Sequence, residues 1–473
     1  MSLVKEKIDI EDFIPAMPPR LPNNTPTWLK LLKSRNNLVA NWNENDFESL
    51  IFSFDILKQR YIVCNDAAHV KHVFLDAHDN YDPKSPQMRR ALKPLLGDGL
   101  FASDGDLWRA RRAACAPALR SELLPQFIPI MVETAHEMAE SWKQLKNRKI
   151  DVLSEMGKLT ARIIGRTIFG DNTSLDEAER VVKGFSRYQR SIEQMDLAST
   201  LGVPALKWLE NPLRKRQGQK AASEVQAVID KIIARHHNDP ERRSKNNNLL
   251  SLFLNTAGGA AEKDGGACPF NDVAARNEAI VMFMAGHETT ANTLAWAWYL
   301  LASCPHYRTE LTNELDQVLG NRLPDLNDVG ELPVTRAIIE ETMRLYPPVP
   351  LLSREARGDD QISNTIVRKG DIILVIPWLL HRHNKHWEQP NAFRPERFYP
   401  NAKRPDRFIY IPFSVGHRVC LGQRFGLTEA IICLAMLAQR FRLDLSPGQR
   451  VDISCRLTLR PEGGLPMTIT PRI

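Results

Sequence analysis

Residues 413–422 read Phe-Ser-Val-Gly-His-Arg-Val-Cys-Leu-Gly. Cys420 stands between Gly416 and Gly422, Arg418 precedes it by two residues, and a strongly apolar stretch, Arg424–Phe441, follows with the pattern of a helix. A thiolate is stabilised by nearby positive charge and by the free N–H groups of a helix N-terminus. Glycines let a backbone come close to a flat group. This setting suits Cys420 as an axial metal ligand, whereas an isolated cysteine is ordinarily a small buried hydrophobe. Cys64, Cys115, Cys268, Cys304, Cys433 and Cys455 have no such surroundings and keep that plainer reading.

Upstream, a long helix is predicted from the N-cap candidates Asn271 and Asp272 to about Ser303, just before Pro305. At ~1.5 Å per residue it spans on the order of 50 Å, enough to cross a domain. In its middle the apolar run Ala279–Ala285 leads into Gly286-His287-Glu288-Thr289-Thr290. A glycine, a carboxyl and two hydroxyls inside an apolar helix are costly. Back-bonding to a carbonyl accounts for one threonine but not for the set. A second predicted helix, Val334–Tyr346, carries Glu341-Thr342-Met343-Arg344 and stops at Pro347-Pro348; Pro395-Glu396-Arg397-Phe398 follows later. Alone, a Glu and an Arg three residues apart are an ordinary surface pair. Trp108-Arg109-Ala110-Arg111-Arg112, after Gly105, reads by itself as an exposed basic helical turn.

Together these segments point to a family. The pattern Phe-x-x-Gly-x-Arg-x-Cys-x-Gly resembles the haem-binding loop of the cytochrome P450 superfamily at every fixed position, and the other segments resemble further motifs of that superfamily in the same order. The resemblance covers most of the chain. It implies a mainly α fold with small β-sheets (α+β) and a long central helix over the haem. It implies haem b (iron protoporphyrin IX) as cofactor, with Cys420 as iron ligand and Phe413, Gly416 and Gly422 in the surrounding loop. Ala285 and Gly286 would lie against the haem, the glycine letting the helix distort, and Glu288 and Thr289 would form an acid–alcohol pair that relays protons. Glu341, Arg344 and Arg397 would form a buried triad holding the cysteine loop. Trp108, Arg112, Arg354 and Arg418 would bind haem propionates, a task for which the guanidinium fork is suited. His287 and His417 fall at no motif position and are not assigned as ligands. His381-Arg382-His383 with His386 reads as a solvated or packing loop.

Composition agrees with a large globular protein. The 473 residues include 43% hydrophobic and 25% charged residues, which excludes a disordered chain or a small disulfide scaffold. The net charge of +7 is a mild excess that does not point to nucleic acid. Without C-x-x-C or C-x-x-C-H, neither a zinc ribbon nor c-type haem attachment is expected. Five prolines between Pro15 and Pro26 suggest that residues 1–25 are an extended lead-in to one haem-binding domain over 26–473. Strand-like runs are expected at Leu50–Leu57, Arg60–Cys64, Ile362–Val367, Asp371–Ile376, Cys455–Arg460 and Pro466–Ile469.

The implied activity is that of a monooxygenase, since cysteinate ligation pushes electron density onto iron and favours O–O cleavage. It would hydroxylate or epoxidise a hydrophobic small molecule (a terpenoid, steroid or fatty acid) with dioxygen and two electrons from NAD(P)H. Only 53 residues follow Cys420 and no second cofactor motif is seen, so a separate ferredoxin-type or flavodoxin-type donor with its reductase is expected. Arg109, Arg111, Lys403, Arg404 and Arg407 are the candidate docking charges. The charged N-terminus lacks an apolar signal or transmembrane anchor, which suggests a cytoplasmic monomer. The basic stretch 207–220 reads as a solvated helix face. A pocket is expected from residues 88–96, 194–206, 282–285 and 349–352, with Arg89, Arg90 and Lys93 facing solvent. Two rivals are a haem-thiolate peroxygenase, isomerase or dehydratase, and a non-enzymatic haem sensor; the acid–alcohol pair argues against both.

Overall fold

A computed structural model describes residues 13–26, 29–30, 37–56, 58–170, 175–191, 212–238, 248–252 and 271–472. Its longer helices are α1 (Pro86–Leu96), α2 (Gly105–Cys115), α3 (Leu124–Lys143), α4 (Val152–Phe169), α5 (Leu175–Ser191), α6 (Pro212–His237), α7 (Asp272–Ser303), α8 (Pro305–Val318), α9 (Pro333–Leu345) and α10 (Gln423–Arg440). The expected mainly α architecture with small sheets is what the chain adopts.

Helix α7 begins where its cap residues place it: the Asn271 side chain accepts the Ala274 N–H at 2.9 Å. It is apolar all round because it is surrounded, and Leu294, Ala295, Trp296 and Ala297 have no exposed surface. Helix α4 packs closely along it. A Cβ added at Gly286 would fall 2.9 Å from Ile164 Cδ1, so the absence of a side chain lets the two helices approach. Trp296 anchors the far half of α7. Its ring stacks on Tyr346 at 3.9 Å between centroids, and its Nε1–H donates to the Leu459 carbonyl at 3.3 Å.

The strands are β1 (Ile51–Ile56), β2 (Gln59–Cys64), β3 (Lys149–Asp151), β4 (Leu352–Glu355), β5 (Asp360–Ile362), β6 (Thr365–Val367), β7 (Ile372–Val375), β8 (Phe441–Leu445), β9 (Ile453–Cys455), β10 (Leu459–Pro461) and β11 (Pro466–Pro471). A four-stranded sheet runs in the order β1-β2-β7-β4. Its β2 lies parallel to β7, with Tyr61 opposite Ile372 and Cys64 opposite Val375, so an early segment is stitched to a late one. Two expected strands prove to be hairpins. Ile362–Val367 breaks at Ser363, whose φ of 51° turns the chain between β5 and β6. Cys455–Arg460 likewise bends at 456–458 between β9 and β10.

The described part of the lead-in is fastened to the body. Ala16 N–H donates to the Tyr299 hydroxyl, Tyr346 donates its hydroxyl proton to the Ala16 carbonyl, and Leu21 bridges to Asn43. No helix among the described residues is long and apolar enough to cross a membrane. Residues 207–211 lie outside the described residues, and beyond them Leu213, Lys215, Arg216 and Lys220 on α6 are exposed.

Trp296 joins α7 to α9 and to the C-terminal hairpin, so Trp296→Ala should lower the unfolding free energy by ~3–5 kcal/mol. Urea denaturation followed by circular dichroism measures this, and an unchanged midpoint would contradict the packing described.

Candidate active site

The cysteine loop is a close-fitting turn ahead of α10. Cys420 N–H donates to the Phe413 carbonyl at 2.9 Å and Val419 N–H to the Gly416 carbonyl at 3.1 Å. Gly416 has φ +74°, and a Cβ there would fall 2.0 Å from the Phe74 carbonyl oxygen. Only glycine lets the loop rest on the helical turn His72–Asp76. Gly422 is the N-cap of α10. Cys420 is exposed, whereas Cys64, Cys115, Cys304, Cys433 and Cys455 are buried. Protein nonetheless crowds the other sides of its sulfur. Burial pushes the thiol up, and the Gly422 N–H and the Arg112 guanidinium pull it down without cancelling that rise.

Behind the loop, the expected triad is assembled. Arg344 meets Glu341 through Nε–Oε2 and Nη2–Oε1, both 2.7 Å, and neither residue has exposed surface. Arg397 Nε lies 3.5 Å from Glu341 Oε1. Arg344 also donates to the carbonyls of His381, Pro390 and Ala392. His381 carries the linkage on: its Nδ1 contacts the Arg344 carbonyl, and its Nε2 accepts the Ile411 N–H at 3.0 Å, two residues before Phe413. Burial, reinforced by Arg344, pushes His381 down to about 3, so its imidazole is neutral. The His381–His383 segment is therefore a buried packing element, and His381 is a linking residue that no motif indicated.

A cluster of cations lies beside the loop. Arg418 donates to Asp82 from Nε and Nη2 at 3.1 and 2.8 Å, to Asp104 at 3.2 Å and to the Ser103 carbonyl at 3.1 Å. Its guanidinium carbon sits 4.2 Å above the Trp108 ring. Burial would raise the Asp82 carboxyl, but Arg418 holds it below the usual carboxylate range. Arg354 and Lys84 are buried next to Arg418, and neither pairs with a carboxylate among the described residues. Burial pushes Arg354 down to about 9 and Lys84 well below an ordinary lysine, and the neighbouring cations add to both shifts. Arg112, one helical turn after Trp108, donates to the Val419 carbonyl at 2.6 Å. Trp108, Arg112, Arg354 and Arg418 are thus brought together, with Arg418 already held by carboxylates. Asp82, Lys84 and Asp104 complete the cluster, and in the sequence they look like ordinary loop charges.

Two features of this arrangement fit an anionic haem. Packing like charges in a desolvated corner is unfavourable unless an anion joins them, and the carboxylates of a haem would serve. The donor set also fits, since a single exposed thiol next to a helix N-terminus suits an iron that takes one protein ligand.

Helix α7 is buried around residues 279–301 except at Ala285, which is exposed, and at Met284, Gly286 and Thr289, which are partly exposed. Ala285 and Thr289 are four apart and share a face. The helix is continuous through this stretch, and the missing side chain of Gly286 admits Ile164 of α4. Thr289 Oγ1 donates to the Ala285 carbonyl at 2.5 Å, a bond any helical threonine can make. Glu288 is not bonded to Thr289. Its two oxygens accept from Gln189 and Thr458, and burial raises its carboxyl above the usual range. His287 is buried and pushed down to about 4. Glu429 on α10, unmarked in the sequence reading, is fully buried and accepts the Thr290 hydroxyl proton at 3.2 Å.

Other expectations need correcting. Arg111 is buried 3.8 Å from Glu278, so it is no docking charge. The C-terminal half of α2 turns that face inward. Arg89 pairs with Asp104 and Glu355 rather than facing solvent, whereas Arg90 and Lys93 are exposed as expected, Lys93 beside Asp98. A cavity of about 340 Å³ is lined by Met88, Ala91 and Leu351 as expected, and also by Trp42, Phe52 and Phe54 of the N-terminal region. Residues 282–285 are not in its wall, and 194–206 lie outside the described residues.

Comparison with known proteins identifies the family. The family model for cytochrome P450 matches residues 19–466. The chain is 30% identical to cyclooctatin synthase of Streptomyces melanosporofaciens over 422 residues, covering 87% of this chain and 86% of the relative. It is 31% identical to cytokinin hydroxylase of Arabidopsis thaliana over 402 residues, 84% and 76% of the two chains. It is 29% identical to 11-oxo-beta-amyrin 30-oxidase of Glycyrrhiza uralensis over 421 residues, 86% and 78%.

Glu341→Gln leaves the Arg344 charge buried without its counter-ion and should cost ~3–5 kcal/mol of unfolding free energy. Guanidinium denaturation checks it; a loss below ~1 kcal/mol would show that the pair is dispensable. Acid should also destabilise the fold through His381. Unfolded histidine titrates near ~6.5, while folded His381 stays neutral to about 3. As pH falls below ~6.5 the unfolded chain binds a proton that the fold refuses, so stability drops by up to ~1.4 kcal/mol per pH unit. Glu278, pushed up to about 7, opposes this by binding a proton in the fold first. His381→Asn should therefore lose stability less steeply than the natural protein between pH ~6.5 and ~5, as urea titrations at each pH would record.

Proposed function

The chain belongs to the cytochrome P450 family of monooxygenases, and we propose that it hydroxylates or epoxidises a terpenoid-like hydrophobic molecule with electrons from a separate acidic redox protein. The observation that carries this reading is Cys420, exposed in a glycine-shaped loop between the N-terminus of α10 and the Arg112 guanidinium. Haem, proposed as haem b, supplies dioxygen activation when bound.

The chain's own residues do the rest. Cys420 Sγ holds the iron, and the triad fixes the loop that carries it. Lys84, Arg112, Arg354 and Arg418 balance the anionic edge of the cofactor. Glu288, favoured in its neutral form by burial, holds a proton inside the fold, and the Thr289 hydroxyl is the nearest partly exposed group on the same helix to receive one. Apolar walls exclude water and select the substrate. The wall of the cavity lined by Trp42, Phe52, Phe54, Met88 and Leu351 is mostly apolar, which suits an apolar ligand. The amyrin oxidase and cyclooctatin synthase among the relatives favour terpenoids over other apolar molecules.

Exposed Arg109, Lys403, Arg404 and Arg407 suit an acidic ferredoxin or flavodoxin, although Arg404 also reaches Glu340 at 2.8 Å.

Reduced protein under carbon monoxide should show the strongly red-shifted absorption band of thiolate-ligated haem, and Cys420→His should abolish it while leaving haem bound. An unshifted band in folded natural protein defeats the reading. Thr289→Ala should keep the band but lower product formed per NAD(P)H consumed several-fold, with the missing electrons recovered as peroxide or water.

A further inference from the structure

The Glu288 carboxyl is held from outside its own helix. Gln189 Nε2, near the C-terminal end of α5, donates to Oε2 at 2.6 Å, and Thr458 Oγ1, in the turn between β9 and β10, donates to Oε1 at 2.6 Å. The same turn reaches the same end of α5 through Arg456 Nη1 and the Arg190 carbonyl, 3.3 Å apart. It is seated on the body by Trp296, which donates to the Leu459 carbonyl, and by Leu459 N–H, which donates to the Pro348 carbonyl. Leu457, next to Thr458, is part of the cavity wall. Two separate elements therefore converge on one buried carboxyl, and neither Gln189 nor Thr458 belongs to a motif that marks the site.

We propose that Thr458, together with Gln189, is a positioning residue for the proton carried by Glu288, and that the Leu457–Thr458 turn links that carboxyl to the wall of the substrate cavity. This rests on the reading of Glu288 as the proton-handling acid. A fully buried carboxyl favours its neutral form, and donors to its oxygens favour the charged one. The charged group facing Glu288 is Arg460 on β10. Cys455 on β9, the other titratable neighbour, is kept neutral by burial. Two neutral donors and one guanidinium thus decide whether Glu288 can release its proton, and two of the three sit on the hairpin that borders the cavity. Thr458 is half-buried, and its hydroxyl, unlike a methyl, both donates and accepts. A molecule pressing on Leu457 moves the residue that holds Glu288.

Infrared titration of the haem-loaded protein tests this, with the Glu288 band identified by its loss in Glu288→Gln. Thr458→Val should raise the titration midpoint of that band by about one pH unit, and Thr458→Ser should restore it. Gln189→Leu should raise it in the same direction, which keeps the test open if the valine variant folds poorly. Leu457→Ala, which leaves the hydroxyl but loosens its seat, should raise it by less. The proposal is overturned by a midpoint unmoved in both Thr458→Val and Gln189→Leu, or by serine behaving as valine does; an unmoved midpoint in Leu457→Ala overturns the link to the cavity. Failure of the natural protein to oxidise any substrate with NAD(P)H and redox partners would count against Glu288 as a catalytic acid, while the midpoints would still report whether Thr458 holds it.

Discussion

The guanidinium of Arg344 uses all five of its N–H groups: two on Glu341 and one each on the carbonyls of His381, Pro390 and Ala392. Both charged partners are fully buried, where an unpaired charge is not tolerated. The geometry therefore leaves little freedom. Helix α9, the buried 381–383 segment and the 389–397 loop must meet at this point or forfeit several charge-assisted hydrogen bonds together. Through His381 and the Ile411 N–H the same constraint reaches the loop that presents Cys420. A lysine would retain the charge but not the planar fork.

The site has a matching division of charge. On the cysteine side, Lys84, Arg354 and Arg418 are packed together, and Asp82 and Asp104 offset only part of their charge. On the α7 side burial drives the ionisable groups towards neutrality: Glu288 with two donors, Glu429 with one, and the His287 imidazole. One edge is thus prepared for an anion, and the opposite helix for holding protons. Burial is the common cause: it makes the cations call for a counter-charge and the acids keep their protons.

Local patterns located the long helices well. Asn271 caps α7 as its position before an apolar run predicts, and Pro305 marks the break between α7 and α8. The hairpins at 360–367 and 453–461 were not legible, because a short apolar run does not reveal the residue at which it turns; Ser363 takes a positive φ without being glycine. Arg111 shows the same gap in a charge. Beside Arg109 and Arg112 it reads as surface, yet helical spacing turns it inward onto Glu278.

The sequence by itself determined the family, the metal-ligand candidate and the triad, because those depend on residue types at fixed short spacings: Cys420 among its glycines, Glu341 three before Arg344, Glu288 beside Thr289. Tertiary structure decided what those residues touch. It put Gly416 on the Phe74 carbonyl and Gly286 on Ile164, gave His381 its linking position, and joined Glu288 to Gln189 and Thr458 instead of to Thr289. Those partners lie about a hundred residues or more away along the chain in most cases, and nothing in local spacing encodes such contacts. They follow from how buried helices and hairpins close around a site whose polar groups must each find a partner.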